Sequence, residues 1–174
     1  MITRRLRFCQ VVPRDRDRVF PFFEKAENLA LITPSWLGFR VLTPTPVRMG
    51  EGTMIDYRIR LFGLPVRWRS LISRYEPPLA FVDEQLIGPY GRWRHLHRFD
   101  AVPGGTRLID EVDYQLPPWL PQAAAELIDR FQVRPQVEEI FAYRREVFTD
   151  MFGATPEPLH GPRPISDPET QPCG

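Results

Sequence analysis

Residues 79–116, LAFVDEQLIGPYGRWRHLHRFDAVPGGTRLIDEVDYQL, contain the pattern from which the rest of the fold follows. Three apolar-rich runs are separated by GPYG at 88–91 and by VPGG at 102–105. Both separators contain the proline and glycine that tight reversals need, because proline presets φ and glycine accepts a positive φ. The stretch therefore predicts three consecutive antiparallel strands joined by two short turns.

The turns also predict which side chains share one face of the sheet. Centring the second turn on residues 103 and 104 places His97 opposite Asp110. Centring the first turn on residues 89 and 90 places Glu84 opposite His95. Since side chains alternate across a strand, all of these residues fall on a single face. The same registers predict the pairs Leu86 with Trp93, Val82 with His97, His95 with Val112, Trp93 with Tyr114 and Phe99 with Leu108.

Four polar side chains thus lie on a face that is otherwise large and apolar: Glu84, His95, His97 and Asp110. A buried carboxylate and a buried imidazole stabilise each other by hydrogen bonding. The simplest interpretation is two structural pairs, Glu84 with His95 and His97 with Asp110. The alternative is that the same groups contact a ligand or transfer protons, as titratable groups in a cavity often do. Both interpretations remain open at the level of sequence.

Length and charge narrow the class of protein. A chain of 174 residues is long enough for one domain with a substantial core. The formal net charge is +1, from 23 basic and 22 acidic residues, so the whole chain carries no electrostatic signature of a nucleic-acid partner. No apolar stretch is long enough for a signal peptide or a membrane span. We therefore expect a soluble cytoplasmic protein.

The flanking segments predict the remaining elements. Residues 4–12 form a first strand, 14–32 form two short helices, and 38–43, 52–63 and 66–76 form three more strands. Alternation in these strands places Tyr57, Ile59 and Trp68 on the inner face. Residues 117–153 predict a long amphipathic helix, in which Pro135 causes a kink or begins a second half. The proline-rich residues 154–174 predict a flexible tail.

Together these elements predict an α+β fold in one domain, residues 1–153. A seven-stranded antiparallel sheet curves around a long C-terminal helix, with two short helices after strand 1. The apolar face of such a sheet needs a cover, and the last helix is the only long element that can supply it. Twisted strands closing around a helix leave a space lined by aromatic and a few polar groups, which is typical of a small-molecule site.

The chain resembles the SRPBCC superfamily, whose helix-grip fold is shared by START lipid-transfer domains, the birch-pollen allergen and the polyketide cyclase/dehydrase family. The resemblance covers residues 4–153 and rests on VFPFFEKAENLALITP (19–34), FVDEQLIGPYGRWRHLHRF (81–99), TRLIDEVDYQLP (106–117) and IFAYRREVF (140–148). Together these stretches resemble the bacterial subgroup of ligand-binding SRPBCC proteins. That resemblance implies a small hydrophobic ligand and a possible epimerase-like neighbour protein.

Other chemistries of the superfamily find little support in the residues. Oxygenases of this fold use an iron held by two histidines and one carboxylate. His95, His97 and Asp110 have this composition, but His97 and Asp110 are expected to face each other, so we expect no metal and no cofactor. No order of residues suggests a catalytic nucleophile, and no glycine-rich phosphate loop opens a helix. Acid–base chemistry is the remaining catalytic option.

Three functions therefore remain as hypotheses. The first is a binding protein for a small hydrophobic or aromatic metabolite. The second is a polyketide cyclase/dehydratase-like enzyme, with His97 oriented by Asp110 as general base and Glu84 or Tyr114 as proton donor. The third is a partner-binding module whose cavity is filled by its own side chains. The expected ligand-binding residues are Tyr57, Ile59, Trp68, Glu84, Leu86, Trp93, His95, His97, Phe99 and Tyr114.

Overall fold

A computed structural model describes residues 3–154 and 163–164 and contains the predicted sheet and helix. The strands are β1 (Thr3–Val12), β2 (Arg40–Val41), β3 (Met54–Leu61), β4 (Leu64–Glu76), β5 (Ala80–Ile87), β6 (Arg92–Val102), β7 (Gly105–Gln115) and β8 (Arg163–Pro164). The helices are α1 (Arg16–Phe23), α2 (Gln122–Ile128) and α3 (Arg134–Phe152). The second predicted short helix is a 3-10 helix, Ala26–Ala30, followed by a 3-10 turn, Ser35–Leu37.

The sheet is antiparallel throughout and has the strand order β2-β3-β4-β5-β6-β7-β1-β8. Strands β2 to β7 form the predicted meander, and the N-terminal strand β1 pairs with β7, the last strand of that meander. The two-residue strand β8 adds to the outer edge of β1 and was not expected. The rest of the predicted tail, residues 155–162 and 165–174, lies outside the described residues.

The C-terminal helix covers one end of the sheet through a compact apolar layer. Phe8 of β1 stacks on Phe141 of α3 with ring centroids 3.9 Å apart. Val112 and Tyr114 of β7 lie in the same cluster as Val137 of α3. Burial of these large side chains removes apolar surface from water and is the main force that holds the helix to the sheet. A second cluster, around Phe20, Phe81 and Phe99, packs α1 against the other end.

The helix break that Pro135 predicts is a π-helical turn, Asp129–Val133, immediately before α3. Proline lacks the N–H that would continue the ladder of hydrogen bonds, so it is tolerated at the beginning of a helical segment. The π turn directs Asp129 inwards, where its carboxylate accepts a hydrogen bond of 2.6 Å from the Tyr114 hydroxyl. Its other oxygen accepts one of 2.7 Å from Arg4 Nε. These contacts fix the break against β1 and β7.

The register of β6 with β7 is the predicted one, and that of β5 with β6 differs by one residue. His97 lies opposite Asp110 as expected. In the first hairpin, however, His95 pairs with Asp83, and Glu84 pairs with Arg94. The predicted pairs Glu84 with His95, Leu86 with Trp93 and Val82 with His97 are therefore wrong.

The physical reason for this difference is the loop between β5 and β6. Ladder pairing ends at Glu84, and the side chain of Gln85 then closes the loop by donating to the Tyr90 carbonyl at 2.7 Å and accepting from the Tyr90 N–H at 3.3 Å. The reversal is thus wider than a two-residue turn. A shift of one residue exchanges the two faces of a strand, so Asp83 turns inwards and Glu84 outwards.

No helix among residues 3–154 combines the length and the apolar character that crossing a membrane requires.

Candidate functional site

A cavity of about 150 Å³ lies between the curved sheet and α3. Its walls are mostly apolar, and β5 and β6 place one carboxylate and two imidazoles in them. The sheet contributes Ile55, Tyr57, Ile59, Leu61, Trp68, Ser70, Ile72, Phe81, Asp83, Trp93, His95 and His97. The helix contributes Gln136, Val137, Ile140, Phe141 and Arg144, and the segment from α1 to β2 supplies further apolar side chains, including Phe22, Leu29, Trp36 and Phe39.

Six of the ten side chains expected to bind a ligand line this cavity: Tyr57, Ile59, Trp68, Trp93, His95 and His97. Phe99 and Tyr114 face the interior but are packed into the two apolar clusters beside the cavity. Glu84 and Leu86 lie outside, because the register of β5 turns them away; Leu86 is 51% exposed, and Glu84 lies 3.7 Å from Arg94. The expected roles of Glu84 and Leu86 are therefore corrected.

Three residues of the cavity wall, Asp83, His95 and His97, form a cluster with Asp110, which does not line the cavity. In this cluster two imidazoles lie between two carboxylates. His97 Nε2 lies 3.1 Å from Asp83 Oδ2, and its Nδ1 lies 3.0 Å from Asp110 Oδ1, out of line for a hydrogen bond. His95 Nε2 bonds to Asp110 Oδ1 at 2.8 Å, while its Nδ1 lies 3.5 Å from Asp83 Oδ2. The two rings are 3.7 Å apart at their centroids. We call Asp83, His95, His97 and Asp110 the buried quartet.

Different environments give the two histidines opposite charge preferences. Burial and the neighbouring His97 lower the pKa of His95 to about 4, so His95 is neutral at pH 7. The two carboxylates that His97 contacts outweigh its burial and raise its pKa. The pKa values of Asp83 and Asp110 are lowered because hydrogen bonds from the imidazoles and their charge outweigh the effect of burial. The distances fit this assignment, since His95 then donates from Nε2 to Asp110 and keeps Nδ1 as an acceptor.

Arg144 completes the charge balance of the site. Its Nε donates to the Ile32 carbonyl at 3.2 Å, and its guanidinium lies over the Phe141 ring, 4.9 Å from the centroid. Burial lowers the pKa of Arg144, and attraction to Asp110 and Asp83 opposes that shift. With both carboxylates ionised and Arg144 charged, protonation of His97, which its raised pKa favours, makes the cluster neutral as a whole. A neutral cluster of alternating charges is far less costly to bury than an isolated ion.

A chain of hydroxyl groups extends the cluster across β3 and β4. The Ser70 hydroxyl accepts a hydrogen bond from Trp68 Nε1 at 3.2 Å and lies 3.1 Å from the Tyr57 hydroxyl. It also donates to Asp83 Oδ1 at 3.5 Å. A serine hydroxyl has one proton to donate, so the Tyr57 hydroxyl is the donor to Ser70. Burial raises the pKa of Tyr57 well above its usual value, so this lining residue stays protonated.

Sequence reasoning missed Asp83, Ser70 and Arg144 as parts of the site. Asp83 and Glu84 are adjacent carboxylates on opposite faces of β5, so only the register decides which one is buried. Arg144 could have been found from helical spacing, since it lies seven residues after Val137 and three after Phe141 on α3. Ser70 lies two residues after Trp68 on β4, so strand alternation places it on the inner face, but its link to Asp83 depends on the register of β4 with β5.

The arrangement can do three things chemically. Its apolar walls can hold a small hydrophobic body, and its acceptors can orient a hydroxyl group of that molecule. His95 Nδ1, which carries no proton at pH 7, can accept one from a bound molecule. Asp83, His95 and His97 each offer one ligand atom within 4.8 Å of the others, which is the spacing of a possible metal site.

Comparison with known proteins shows similarity of structure. No protein-family model matches the chain, and no curated protein matches it. Among solved structures, TTHA0849 from Thermus thermophilus superposes with a TM-score of 0.64 at 19% identity, covering 84% of this chain and 98% of that one. The Zhui aromatase/cyclase from a Streptomyces species has a TM-score of 0.63 at 18% identity, with coverages of 86% and 96%.

Two further solved structures share the same architecture. The major latex-like protein 151 from Panax ginseng superposes with a TM-score of 0.61 at 9% identity, covering 87% of this chain and 99% of that one. Ara h 8.0201 has a TM-score of 0.56 at 12% identity, with coverages of 86% and 99%. At these identities the comparisons speak to the fold, and each neighbour is covered almost completely. The chain therefore shares the fold of these proteins, a curved antiparallel sheet around a long C-terminal helix, and this is the fold that its sequence resemblance implied.

Proposed function

We propose that this protein binds a small hydrophobic or aromatic metabolite that carries a hydroxyl or similar hydrogen-bond donor. The observation that supports this function is the cavity of about 150 Å³, whose apolar walls end at the buried quartet. The apolar body of the ligand lies between Trp68 and Ile140, and its donor group bonds to Asp83 or to His95 Nδ1. Such a division between apolar walls and a few convergent polar groups is typical of small-molecule sites.

Specificity in this proposal comes from the polar end. A cavity that offers an unsatisfied acceptor rejects a ligand without a donor, because the acceptor then loses its hydrogen bond to water without a replacement. We therefore expect 2-naphthol to bind more tightly than naphthalene, which has the same ring system and no hydroxyl. One well-made hydrogen bond to a charged acceptor corresponds to about 1.5–3 kcal/mol, or about a tenfold to a hundredfold difference in Kd.

Calorimetric titration of metal-free protein with the two compounds tests the proposal. Ile59→Phe fills the cavity wall and should abolish binding, whereas Leu86→Phe, at an exposed position of β5, should leave it unchanged. Mass spectrometry of molecules extracted from the purified protein under denaturing conditions adds the identity of any natural ligand. Equal affinity for the two compounds, or binding that survives Ile59→Phe, would contradict the proposal.

An acid–base enzyme, of the polyketide cyclase/dehydratase type, is a second candidate that one observation favours. Asp110 holds the Nε2–H of His95, which leaves Nδ1 unprotonated at the wall of the cavity, as a general base requires. The proton donors expected from the sequence do not serve this reaction, since Glu84 lies outside and the Tyr114 hydroxyl donates to Asp129. The Tyr57 hydroxyl, whose residue lines the cavity, takes that role when its proton turns from Ser70 to the bound molecule.

Proton exchange at an activated carbon tests this second candidate directly. In metal-free protein, exchange of deuterium into the central carbon of 1-phenyl-1,3-butanedione, followed by NMR, should be faster with the wild type than with His95→Gln. Glu84→Gln serves as the matched control, because it alters a carboxylate on the other face of the same sheet. An exchange rate equal to that of buffer would leave the binding function and remove the catalytic one.

A further inference from the structure

We propose that Asp83, His95 and His97 form a binding site for a divalent transition-metal ion of the zinc class. Each of the three residues lines the cavity and offers one ligand atom within 4.8 Å of the others. Two imidazoles and one carboxylate are ligands that suit zinc and its neighbours in the first transition row, whereas magnesium and calcium prefer sites made of oxygen atoms alone. The proposed ion uses Asp83 and His95, which also belong to the ligand site proposed above, but its binding does not require that ligand.

The ligand atoms are spaced as a small ion requires. Asp83 Oδ2 lies 3.1 Å from His97 Nε2 and 3.5 Å from His95 Nδ1. Ligand atoms about 2.0–2.2 Å from a tetrahedral zinc ion lie about 3.3–3.6 Å from one another. The two distances from Asp83 Oδ2 therefore lie within a few tenths of an ångström of those around a tetrahedral zinc ion.

Asp110 occupies the position that a metal site needs behind its histidines. Metal-bound imidazoles usually donate their second N–H to a carboxylate or carbonyl, which fixes the ring and strengthens the ligand. Asp110 Oδ1 lies 2.8 Å from His95 Nε2 and 3.0 Å from His97 Nδ1, so one carboxylate faces the outer nitrogen of both rings. The buried His97 Nδ1 has no aligned hydrogen-bond partner, and a small rotation of the ring on loading would align it with Asp110.

Binding would also change the packing of the two rings. Their centroids are 3.7 Å apart with the planes tilted by 38°. Two imidazoles on one tetrahedral ion hold their centroids about 5 Å apart, so the rings must separate by about 1.5 Å. His97 is held by stacking on Phe81 at 4.2 Å, whereas His95 meets Phe141 edge-on at 5.5 Å, so His95 is the ring that turns.

The site would leave a coordination position open to the cavity. Three protein ligands with a fourth position for water or a bound molecule are the arrangement of catalytic zinc sites, whereas structural zinc sites are closed by four protein ligands. The hydroxyl group of a cavity ligand could occupy that position. A metal ion would also take the place of the proton that His97 shares with Asp83.

This differs from the sequence expectation in the identity of the carboxylate. From the sequence, Asp110 was the candidate third ligand, and we expected no metal because Asp110 faces His97. The register of β5 brings in Asp83 instead, on the opposite side of both rings from Asp110. In this arrangement Asp83 is the metal ligand, and Asp110 orients the two imidazole rings.

Titration of the metal-free full-length protein with Co²⁺ tests the site, because four- and five-coordinate cobalt absorbs in the visible region where the hydrated ion absorbs only weakly. We expect one equivalent of Co²⁺ to bind, to be displaced by Zn²⁺, and to shift the ring-proton NMR signals of His95 and His97. Asp83→Asn should weaken binding by more than about 100-fold, and Asp110→Asn by about 10–100-fold.

Two control variants distinguish this site from other donors. Glu84→Gln alters the neighbouring carboxylate on the outer face, and His160→Ala removes the third histidine of the chain; both should bind as the wild type does. Far-UV circular dichroism checks that each variant is folded. If Asp83→Asn fails to fold, the NMR signals of wild-type His95 and His97 decide instead. Absence of stoichiometric binding, a weak spectrum like that of the hydrated ion, or loss of binding only in His160→Ala would overturn the proposal.

Discussion

The adjacent carboxylates Asp83 and Glu84 allow a matched test of the site. We expect Asp83→Asn to destabilise the protein and Glu84→Gln to have almost no effect. Asp83 Oδ2 lies 3.1 Å from Nε2 of His97, an imidazole whose pKa is raised, and the Asp83 side chain is 17% exposed. Glu84 lies 3.7 Å from Arg94, with the two side chains 37% and 29% exposed. Both substitutions remove one negative charge and keep the shape of the side chain.

The expected magnitudes follow from these surroundings. A hydrogen bond to a charged group contributes about 1.5–3 kcal/mol, and relief from burying the Asp83 charge offsets part of its loss. We expect Asp83→Asn to lower the free energy of unfolding by about 2 kcal/mol at pH 7, which corresponds to a decrease in Tm of about 4–8 °C for a chain of this size. Exposed ion pairs contribute little, so Glu84→Gln should change the free energy of unfolding by less than about 0.5 kcal/mol.

Urea unfolding in the presence of EDTA, followed by far-UV circular dichroism and tryptophan fluorescence, measures both effects. The pKa of Asp83 is lowered in the folded state, so its contribution to stability is present above about pH 4, the unfolded value, and is lost as the pH falls through the folded-state pKa. The difference between Asp83→Asn and the wild type should therefore shrink in acid. A larger effect from Glu84→Gln than from Asp83→Asn would refute the register of β5 and the site built on it.

Three further predictions concern the rest of the interior. The free energy of unfolding of the wild type should be largest near pH 6.5. Between pH 6.5 and about 4 it should fall by an amount on the order of 3 kcal/mol, because unfolding lets His95 take up a proton, and above pH 6.5 it should fall as the pH rises through the raised pKa of His97. A pH series of urea unfolding curves measures this, and a free energy of unfolding that is constant from pH 4.5 to 8 would contradict it. Phe99→Ala should lower the free energy of unfolding by about 3–5 kcal/mol, since Phe99 is 2% exposed in a packed cluster. Trp93→Ala should lower it by less, because Trp93 lines the cavity, and the reverse order in thermal unfolding would count against the cavity. Asp129→Ala should lower the free energy of unfolding by about 1–3 kcal/mol, because the buried Tyr114 hydroxyl loses its acceptor and the partly exposed Arg4 loses its partner. Hydrogen exchange should then be faster around the π turn, and unchanged exchange there would contradict its role.

The arrangement of strands and helices could be read from local patterns. The alternation of Tyr57 and Ile59 with arginines, and the VPGG turn, each depend on residues close together in the chain, and the structure has those faces and that turn as predicted. The position of Pro135 at the beginning of α3 was one of two possibilities that the rule for proline allowed. Local rules were sufficient for these features because strand period, turn chemistry and proline geometry act over a few residues.

The candidate site was predictable only in part, because the register of β5 with β6 did not follow from the sequence. His95, His97 and Asp110 lie on strands whose connecting turn has two central residues, so their common face followed from the sequence. Asp83 and Glu84 lie before a wider loop, and the faces of a strand exchange when pairing shifts by one residue. The length of that loop, and with it the register, depends on hydrogen bonds of the Gln85 side chain. Rules based on strand period or composition do not predict these bonds.

The order of the elements, the apolar faces of the sheet and the helix, and the presence of polar groups inside all follow from the sequence alone. The identity of the carboxylate that accompanies the two histidines, and the balance of their charge by Arg144 from α3, emerge only in the folded molecule. Secondary structure is set by the pattern of neighbouring residues, but a buried charge is stabilised by groups that are distant in the chain. Their approach depends on strand register and helix docking, so the chemistry of the site is a property of the tertiary structure.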